Sequence, residues 1–474
     1  MRSFWISGVL LGYGFALAAV AALGDASPDK PHGHRNSSGA NVFHVTVPEH
    51  PYDLILARPE NDHVTLSVLA YHDIEGYVSY ETTDNSTARQ TGLKTFKTGT
   101  PAELVIGSLA ADATYHYEFH WRTPGATTFT VSPEYAFHTA RPPGSRFVFT
   151  LTADAHLDEH TSAEVYDQTL ANIRAGQPDF HIDLGNLFMT DKHATRAEAA
   201  RQYLAQRYYL GEIGVSVPVL LALGVHDGES SRYDDGSPDS LADWSNNLRT
   251  RYFPNPVPDR FYTGNRPATE SRQPLQNYYA WEWGDALFVV LDPYRYSLPQ
   301  RAGGDGWAWS LGQTQYQWLA QTLAHSRAGF KFVFLHNLLC GDQASRGGVE
   351  IAGFNEWGGK NRDGTDGFAS HRPGWELPVH QLLLRHHVAA VFKAHDNFYA
   401  RQQLDGILYL MVPQPSFAGD DRIRDLQNYG YRQGVFRGNS GHVRVEVSAG
   451  KAVVSYVKSA PGSPVADAFE ILKH

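Results

Sequence analysis

Five separate apolar runs of the chain end in residues whose side chains could bind a metal ion or move a proton. In chain order these ends read "TADAH" (Asp154, His156), "DLGNLF" (Asn186), "LGVHDGE" (His226, Asp227), "FLHNL" (His336) and "KAHDN" (His395, Asn397). Histidine nitrogens and carboxylate or amide oxygens are common ligands of divalent metals. A single strand-end histidine is more often a hydrogen-bonded partner of a neighbouring loop, but the ordered set predicts one shared metal site.

The Asp-x-His pattern needs context because it recurs along the chain. It occurs as Asp154/His156, Asp158/His160 and Asp191/His193. The first pair directly follows an apolar run, which is where a buried strand would deliver it to a sheet edge. We therefore interpret the other two pairs as solvated loop or helix positions.

The elements that must position these residues are apolar strands alternating with helices. Runs such as "FVFTLTA", "VPVLLALG" and "KFVFLH" alternate with helical stretches such as "SAEVYDQTLANIRAG". Near-continuous apolar strands separated by helices indicate an α/β domain with a sheet covered on both faces. Sites in such domains lie beyond the carboxyl ends of the strands, so the five polar ends are expected at one edge.

The first part of the chain has a different pattern. From residue 42 to 139, short runs alternate apolar and polar residues between turn residues, which predicts an antiparallel β-sandwich of about 100 residues. Near the other end, "GHVRVEVSAGKAVVSYVKS" predicts a hairpin around Ala449 and Gly450 that extends a sheet. The predicted boundaries are 1–24 for a signal peptide, 25–41 for a polar tail, 42–139 for the sandwich, 140–146 for a linker, 147–458 for the α/β domain and 459–474 for a C-terminal tail.

The ordered strand ends resemble the signature of the calcineurin-like metallophosphoesterase superfamily, which runs D-x-H, G-D-x-x-D, G-N-H-[DE], H and G-H-x-H. The preceding sandwich, whose "LAADATYHYEF" is similar to the tyrosine corner of fibronectin type III modules, resembles the purple acid phosphatase branch. The resemblance covers about residues 42–457. It implies a layered α/β metallophosphoesterase domain behind a fibronectin type III-like all-β sandwich, and hydrolysis of phosphoesters by two metal ions.

The same resemblance implies a role for each strand end. Asp154 and His156 match ligands of the first metal, and His336 and His395 match ligands of the second. His226, paired with Asp227, matches the catalytic histidine that steadies the leaving oxygen. These assignments follow from the motif positions alone.

Three positions depart from the signature at the metal ligands themselves. Asn186 replaces the bridging aspartate, Val225 replaces an asparagine ligand, and Asn397 replaces the last histidine. Two dications about 3.7 Å apart repel by about 18 kcal/mol at an effective dielectric constant of about 20, and a neutral asparagine does not offset this repulsion. Asp183 and His181 are poor substitutes, because strand alternation turns Asp183 to the other face and His181 lies too far back.

Two functional hypotheses remain open from these residues. The first is a phosphoester hydrolase by ancestry whose dinuclear catalysis is impaired or lost while its fold and pocket persist. The second is an active phosphomonoesterase or phosphodiesterase with a mononuclear or altered metal site. The residues available for one ion are Asp154, His156, Asn186 and Asn397, with His336 and His395 as a poorer pair. We expect at most one weakly held divalent ion, Mn, Zn or Fe.

Long irregular stretches are expected to rim the site, as long loops in compact domains often do. In one of them Lys360 and Arg372 could contact a phosphorylated small molecule or other phosphoester, since arginine suits phosphate geometry. Tying the loop to the surface is an equally good role for either residue.

Composition limits the partners and the compartment. A net charge of -10 argues against nucleic acid, and the single cysteine, Cys340, excludes an intramolecular disulfide. One arginine, an apolar run from Phe4 to Leu23 and small residues before Asp25 predict a cleaved export signal, with an uncleaved membrane anchor as the alternative. Either way the bulk of the protein is expected to be extracytoplasmic, secreted or periplasmic.

Overall fold

A computed structural model describes residues 42–83, 85–266, 274–298, 306–340, 346–423 and 425–473. The predicted signal peptide and polar tail lie outside the described residues. No helix within the described ranges is long and apolar enough to cross a membrane.

The N-terminal part consists of two antiparallel sheets that share one apolar core. Its strands are β1 (Tyr52–Ala57), β2 (His63–Ala70), β3 (Ile74–Thr82), β4 (Asn85–Gln90), β5 (Lys94–Phe96), β6 (Ala102–Gly107), β7 (Thr114–Arg122), β8 (Thr130–Val131) and β9 (Tyr135–His138). One sheet has the order β1-β2-β6, and the other is built around the β3–β7 pair. Side chains of β3 alternate between buried and half-buried, as expected for a strand with one face in a core.

The second part contains the remaining elements. Its strands are β10 (Phe147–Thr152), β11 (Phe180–Asp183), β12 (Val219–Leu221), β13 (Thr263–Gly264), β14 (Tyr279–Trp283), β15 (Ala286–Val290), β16 (Phe330–Phe334), β17 (Ala390–Lys393), β18 (Tyr399–Leu404), β19 (Ile407–Met411), β20 (Val435–Arg437), β21 (Gly441–Val447), β22 (Lys451–Lys458) and β23 (Val465–Leu472). Its helices are α1 (Ala163–Ala175), α2 (Arg196–Gly214), α3 (Leu241–Tyr252), α4 (Gly312–His325), α5 (Asn355–Gly358), α6 (Phe368–His371) and α7 (Val379–Arg385).

These strands form two sheets that pack face to face. One has the order β12-β11-β10-β21-β22-β23 and the other the order β13-β14-β15-β16-β17-β19-β18-β20. A shared cluster of buried aromatic and aliphatic side chains, including Phe149, Phe288 and Phe392, fills the space between them. The strands β10, β11 and β12 are parallel in the first sheet, and β15, β16, β17 and β19 are parallel in the second. The predicted fold class, a layered α/β domain behind an all-β sandwich, is confirmed.

Helix starts near the site follow simple capping rules. The Ser162 hydroxyl accepts a hydrogen bond from the Val165 N–H and begins α1. Thr195 and Glu198 form a reciprocal capping box that begins α2. These caps fix the two helices that cover the outer face of the first sheet.

The C-terminal segment corrects one predicted boundary. The hairpin around Ala449 and Gly450 is present as β21 and β22, but residues 459–474 are not a tail, because β23 pairs with β22 as the edge strand of the first sheet. This strand is hard to recognise from sequence, since its side chains are only half-buried or exposed and include Asp467 and Glu470.

Side chains fasten the sandwich to the α/β domain. The Tyr117 hydroxyl donates to the Val215 carbonyl at 2.6 Å, and the Tyr262 hydroxyl donates to the Pro59 carbonyl at 2.7 Å. Tyr115 instead accepts the Ala110 N–H at 2.8 Å within the sandwich. The two parts are therefore joined by buried hydrogen bonds as well as by apolar contact.

Candidate functional site

The predicted strand ends meet at one edge, where the two sheets come together. The Asp154 N–H donates to the Gly185 carbonyl at 2.9 Å, and the Ala394 N–H donates to the His336 carbonyl at 2.9 Å. One hydrogen bond joins the two sheets at this edge: the His395 N–H donates to Asp154 Oδ2 at 2.9 Å. Four site residues have left-handed backbones, Asp154 (φ 61°), Asn186 (φ 57°), His395 (φ 87°) and Asn397 (φ 58°). Such strained conformations gather at functional sites.

Asp154 is the centre of this edge. Its carboxylate is fully buried, and Oδ1 lies 2.9 Å from Asn186 Nδ2 and 3.2 Å from His156 Nε2, while Oδ2 accepts the His395 N–H. Burial alone would raise the pKa of Asp154, but the His156 imidazolium and the His395 amide N–H outweigh it and hold the pKa well below its usual range. A buried carboxylate with three N–H donors is a satisfied anion.

Two hydrogen-bond partners fix the orientation of the Asn186 carboxamide. The His226 N–H, which can only donate, lies 2.9 Å from Oδ1, and the Asp154 carboxylate, which can only accept, lies 2.9 Å from Nδ2. Asn186 therefore presents a nitrogen to the centre of the site. Its oxygen, the atom that a metal would require, is held by the main chain of the neighbouring loop.

His156 lies between two carboxylates. Nε2 is 3.2 Å from Asp154 and Nδ1 is 3.2 Å from Asp158. Burial opposes protonation, but the two carboxylates prevail and raise the pKa of His156 to about 9. The imidazolium supplies positive charge beside Asp154. Asp158, expected to be a solvated loop residue, is thus a partner of the site.

His336 and His395 come from the second sheet and face the same centre, with ring centroids 5.3 Å apart. The His336 Nδ1 lies 2.8 Å from the Leu184 carbonyl and donates to it, which leaves Nε2 with a lone pair, fully buried and 3.6 Å from Asp154 Oδ1. Burial lowers the pKa of His336 to about 4. Burial and the nearby Arg346 guanidinium hold the pKa of His395 well below its usual range.

His226 has a carboxylate partner that the motif did not predict. Asp191, interpreted above as a solvated position, is buried and lies 3.1 Å from His226 Nδ1, and it also accepts from Tyr233 at 2.6 Å and Arg232 at 3.1 Å. Burial would raise the pKa of Asp191, but the adjacent His226 lowers it to about 2. The interpretation of Asp191 was wrong, because a short 3₁₀ turn at Thr190–Lys192 returns it to the edge.

Asp227 links two strand-end loops through main-chain groups. Its carboxylate accepts the N–H groups of Asn186 (2.9 Å), Phe188 (2.9 Å) and Gly224 (2.7 Å), and its side chain is buried. Burial raises its pKa to about 6. Asp227 thus ties the second and third strand-end loops together, and its catalytic role stays a prediction.

The positions that depart from the resembled signature are also placed by the structure. The Val225 side chain is buried in an apolar cluster and has no ligand atom, and the Asn397 carboxamide oxygen is buried without a hydrogen-bond partner among the described residues. Within the same residues, His and carboxylate atoms of Glu60, Asp62 and His63 on the sandwich lie within 4.8 Å of one another, and no such group of three forms at the strand ends.

The two residues considered as substitutes lie behind the edge. His181 is bonded through its two ring nitrogens to Thr150 (2.9 Å) and Thr152 (2.8 Å). Asp183 accepts from Thr152 and from the Gly185 N–H, both within the first sheet. These hydrogen bonds give no support to a bridging role for either side chain.

The loop residues expected to bind substrate are placed differently. The Arg372 guanidinium donates to Glu356 and to the carbonyls of His371, Trp307 and Trp309, which matches the alternative role of tying its loop to the surface, and a substrate contact by Arg372 stays a prediction. Lys360 is exposed, and its main chain bonds within its own loop. A substrate contact by Lys360 stays a prediction.

Two arginines missed by sequence reasoning do border the strand ends. Arg232 lies 3.3 Å from the Val225 carbonyl as well as contacting Asp191, and its side chain is 35% exposed. Arg346 donates to the His395 carbonyl at 2.8 Å and is 28% exposed. The surrounding loops carry no motif that marks either residue, so their positions emerge only from the fold.

Comparisons with known proteins agree with this architecture. No family model matches the chain, and no curated protein matches its sequence. Among solved structures, the chain is similar to PhoD (14% identity, 93% of this chain and 92% of that chain, TM-score 0.62) and to a purple acid phosphatase from seeds of yellow lupin, Lupinus luteus (15% identity, 88% of this chain and 74% of that chain, TM-score 0.60). The resemblance inferred from the motifs is thereby confirmed at the level of fold, which the chain shares with these two proteins.

Proposed function

We propose that this protein is an exported metallophosphoesterase-fold protein whose dinuclear hydrolysis is lost or strongly impaired, and whose strand-end pocket holds a phosphorylated small molecule without rapid turnover. One observation carries the proposal: Asp154 accepts N–H groups from Asn186, His156 and His395. Hydrogen-bond donors and an imidazolium thus take the place of dications at the key carboxylate. Export rests on the N-terminal sequence alone.

The charge on His156 sets a cost for metal binding. A metal ligand must be deprotonated, and the pKa of His156 is raised to about 9. Removing its proton at pH 7 costs about 3 kcal/mol, or about 100-fold in metal affinity. Asn186 must also give up its hydrogen bond to Asp154 or to the His226 N–H before its oxygen can turn inward. Both costs act against a bound ion at the first metal position.

Groups suited to a phosphate ligand persist around the same edge. His226, oriented by Asp191, keeps a side chain that is 20% exposed, and Arg232 lies beside the same carboxylate. Arginine donors bind phosphate oxygens through charge-assisted hydrogen bonds. The chain shares its fold with the phosphatase structures named above, and this shared fold supports phosphoesters as the ligand class.

A second candidate function is favoured by one atom. Among the described residues, His336 Nε2 has a buried lone pair with no hydrogen-bond partner, and it lies 3.6 Å from Asp154 Oδ1. Two electron-rich atoms at this distance would be stabilised by one cation between them. This supports a mononuclear phosphoesterase with a weakly held Mn, Zn or Fe ion as the alternative. Such an ion would polarise a phosphate and acidify a bound water.

Restoring the replaced ligands tests the main proposal. The variant Asn186→Asp/Val225→Asn/Asn397→His and the wild type are assayed for hydrolysis of an aryl phosphate ester with added Mn²⁺ or Zn²⁺. We expect a gain of several powers of ten, since the restored residues supply the charge and ligands of a dinuclear clamp. Adding Asp154→Asn to the triple variant should abolish the gain. Equal turnover by wild type and triple variant would contradict the proposal.

The alternative is tested by direct metal titration. Calorimetric titration of Zn²⁺ into wild type should show binding that His336→Gln removes, while His160→Gln, a change at an exposed histidine, leaves it intact. Binding that survives His336→Gln, or no binding by the wild type, would remove the mononuclear candidate and leave the main proposal in place.

A further inference from the structure

A cleft of about 720 Å³ lies between the sandwich and the α/β domain, away from the strand ends. Three arginines from three separate elements line it. Arg58 follows β1 in the sandwich, Arg251 lies in the last turn of α3, and Arg266 follows β13. We call this space the interdomain cleft. Pockets between domains are common ligand sites, and this volume is within the usual range of about 300–1,000 Å³.

The arginine from the sandwich is held in place. Arg58 has a left-handed backbone (φ 50°), an uncommon conformation for a residue with a side chain. Its Nε donates to the Asn255 carbonyl at 2.8 Å, and its Nη1 lies 3.1 Å from Glu103. Because Asn255 belongs to the α/β domain, Arg58 spans the domain boundary and faces the cleft with a fixed guanidinium.

The lining is positive overall. Glu103 is the lining carboxylate, and it is already paired with Arg58. Arg251 makes long contacts with the Gly99 carbonyl (3.3 Å) and the Thr100 hydroxyl (3.4 Å), and neither Arg251 nor Arg266 forms an ion pair with a described residue. In a chain of net charge -10, a concave surface stands out when two of its guanidinium groups have no carboxylate partner among the residues that the structure describes.

We propose that the interdomain cleft binds a small polyanion carrying phosphate or carboxylate groups. Guanidinium groups pair with both kinds of oxyanion through parallel N–H donors. The described lining has prolines, such as Pro258, and short polar side chains but no aromatic ring, so it offers no stacking surface for a nucleobase. The ligand is therefore a polyanion without an aromatic base. This site shares no residue with the strand-end pocket.

Calorimetric titration of the full-length protein with pyrophosphate and, separately, with citrate tests the proposal. We expect the wild type to bind at least one of the two anions, and Arg251→Gln/Arg266→Gln to weaken that binding by tenfold or more, since each charge-assisted contact contributes strongly. The preferred anion identifies the ligand as phosphate-bearing or carboxylate-bearing. Both arginines are exposed, so the folded state is expected to survive, and thermal unfolding checks it.

Two control variants distinguish binding in the cleft from a general effect of surface charge and from binding at the strand ends. Arg327→Gln/Arg432→Gln removes the same charge from exposed positions outside the cleft and should change affinity less than twofold. Arg232→Gln, at the strand ends, should likewise leave the affinity of the cleft unchanged. No binding of either anion by the wild type, or equal weakening by the cleft pair and by either control, would overturn the proposal.

Discussion

Replacing Asp154 by asparagine removes the charge on which the strand-end network depends. An asparagine at this position can still accept the His395 N–H through its oxygen. Its own amide N–H groups would then face Nδ2 of Asn186 and Nε2 of His156, which are both donors. The variant therefore leaves buried donors without acceptors and an imidazolium without one of its two carboxylates.

The magnitude follows from these contacts. Each buried donor left unsatisfied costs about 1–3 kcal/mol, and removing one partner of a buried ion pair costs about 3–5 kcal/mol. His156 keeps Asp158 at 3.2 Å, which offsets part of the loss. We expect Asp154→Asn to lower the free energy of unfolding by about 3–5 kcal/mol.

Urea unfolding at pH 7, followed by tryptophan fluorescence with and without EDTA, measures this effect. The loss should be the same in both conditions, because the partners of Asp154 are protein groups. Asp363→Asn, which alters a surface carboxylate bonded to Thr365, is the matched control and should leave stability unchanged. A variant as stable as the wild type, or a wild type that EDTA destabilises to the level of the variant, would refute the reasoning.

Three further predictions concern neighbouring groups. The pKa of His156 is raised to about 9 in the folded state. Its contribution to the free energy of unfolding is therefore complete below the unfolded pKa of about 6.5 and disappears as the pH rises through 9. Over this pH range, urea unfolding should show that the wild type loses about 3 kcal/mol more stability than His156→Gln. Without metal, Asn186→Asp should be less stable than the wild type, since two adjacent buried carboxylates require a cation. Added Zn²⁺ should therefore raise the melting temperature of Asn186→Asp more than that of the wild type. An equal rise in both proteins would count against the orientation of Asn186. Asp191→Asn should lower the pKa of His226 further in an NMR titration, because Asp191 is the group that opposes the effect of burial; an unchanged or higher pKa would contradict their pairing.

The meeting of the strand-end residues could be predicted from the sequence, because the carboxyl ends of parallel strands lie at the same edge of a sheet. Apolar runs followed by polar residues were enough to gather Asp154, Asn186, His226, His336 and His395 in one place. The positions that depart from the resembled signature could also be named from the sequence, since motif spacing assigns each position. These features depend on local pattern and on strand direction, which the sequence carries directly.

Other features depend on contacts between distant segments. Asp191 returns to His226 through a turn that begins after Met189, whose backbone is left-handed (φ 44°). The amide of Asn186 is oriented by one group from each of two other loops, and the guanidinium of Arg372 is captured by carbonyls of a remote segment. The spacing of residues along the chain does not indicate in which direction these side chains point.

The metal content of the wild-type protein tests the central claim most directly. The protein is purified after expression with supplemented Zn²⁺ and Mn²⁺, dialysed against metal-free buffer, and measured by plasma mass spectrometry alongside the triple variant. We predict less than about one ion per chain in the wild type and up to about two in the variant, since a dinuclear centre needs the restored carboxylate and histidine. Retention of about two ions per wild-type chain would contradict the account.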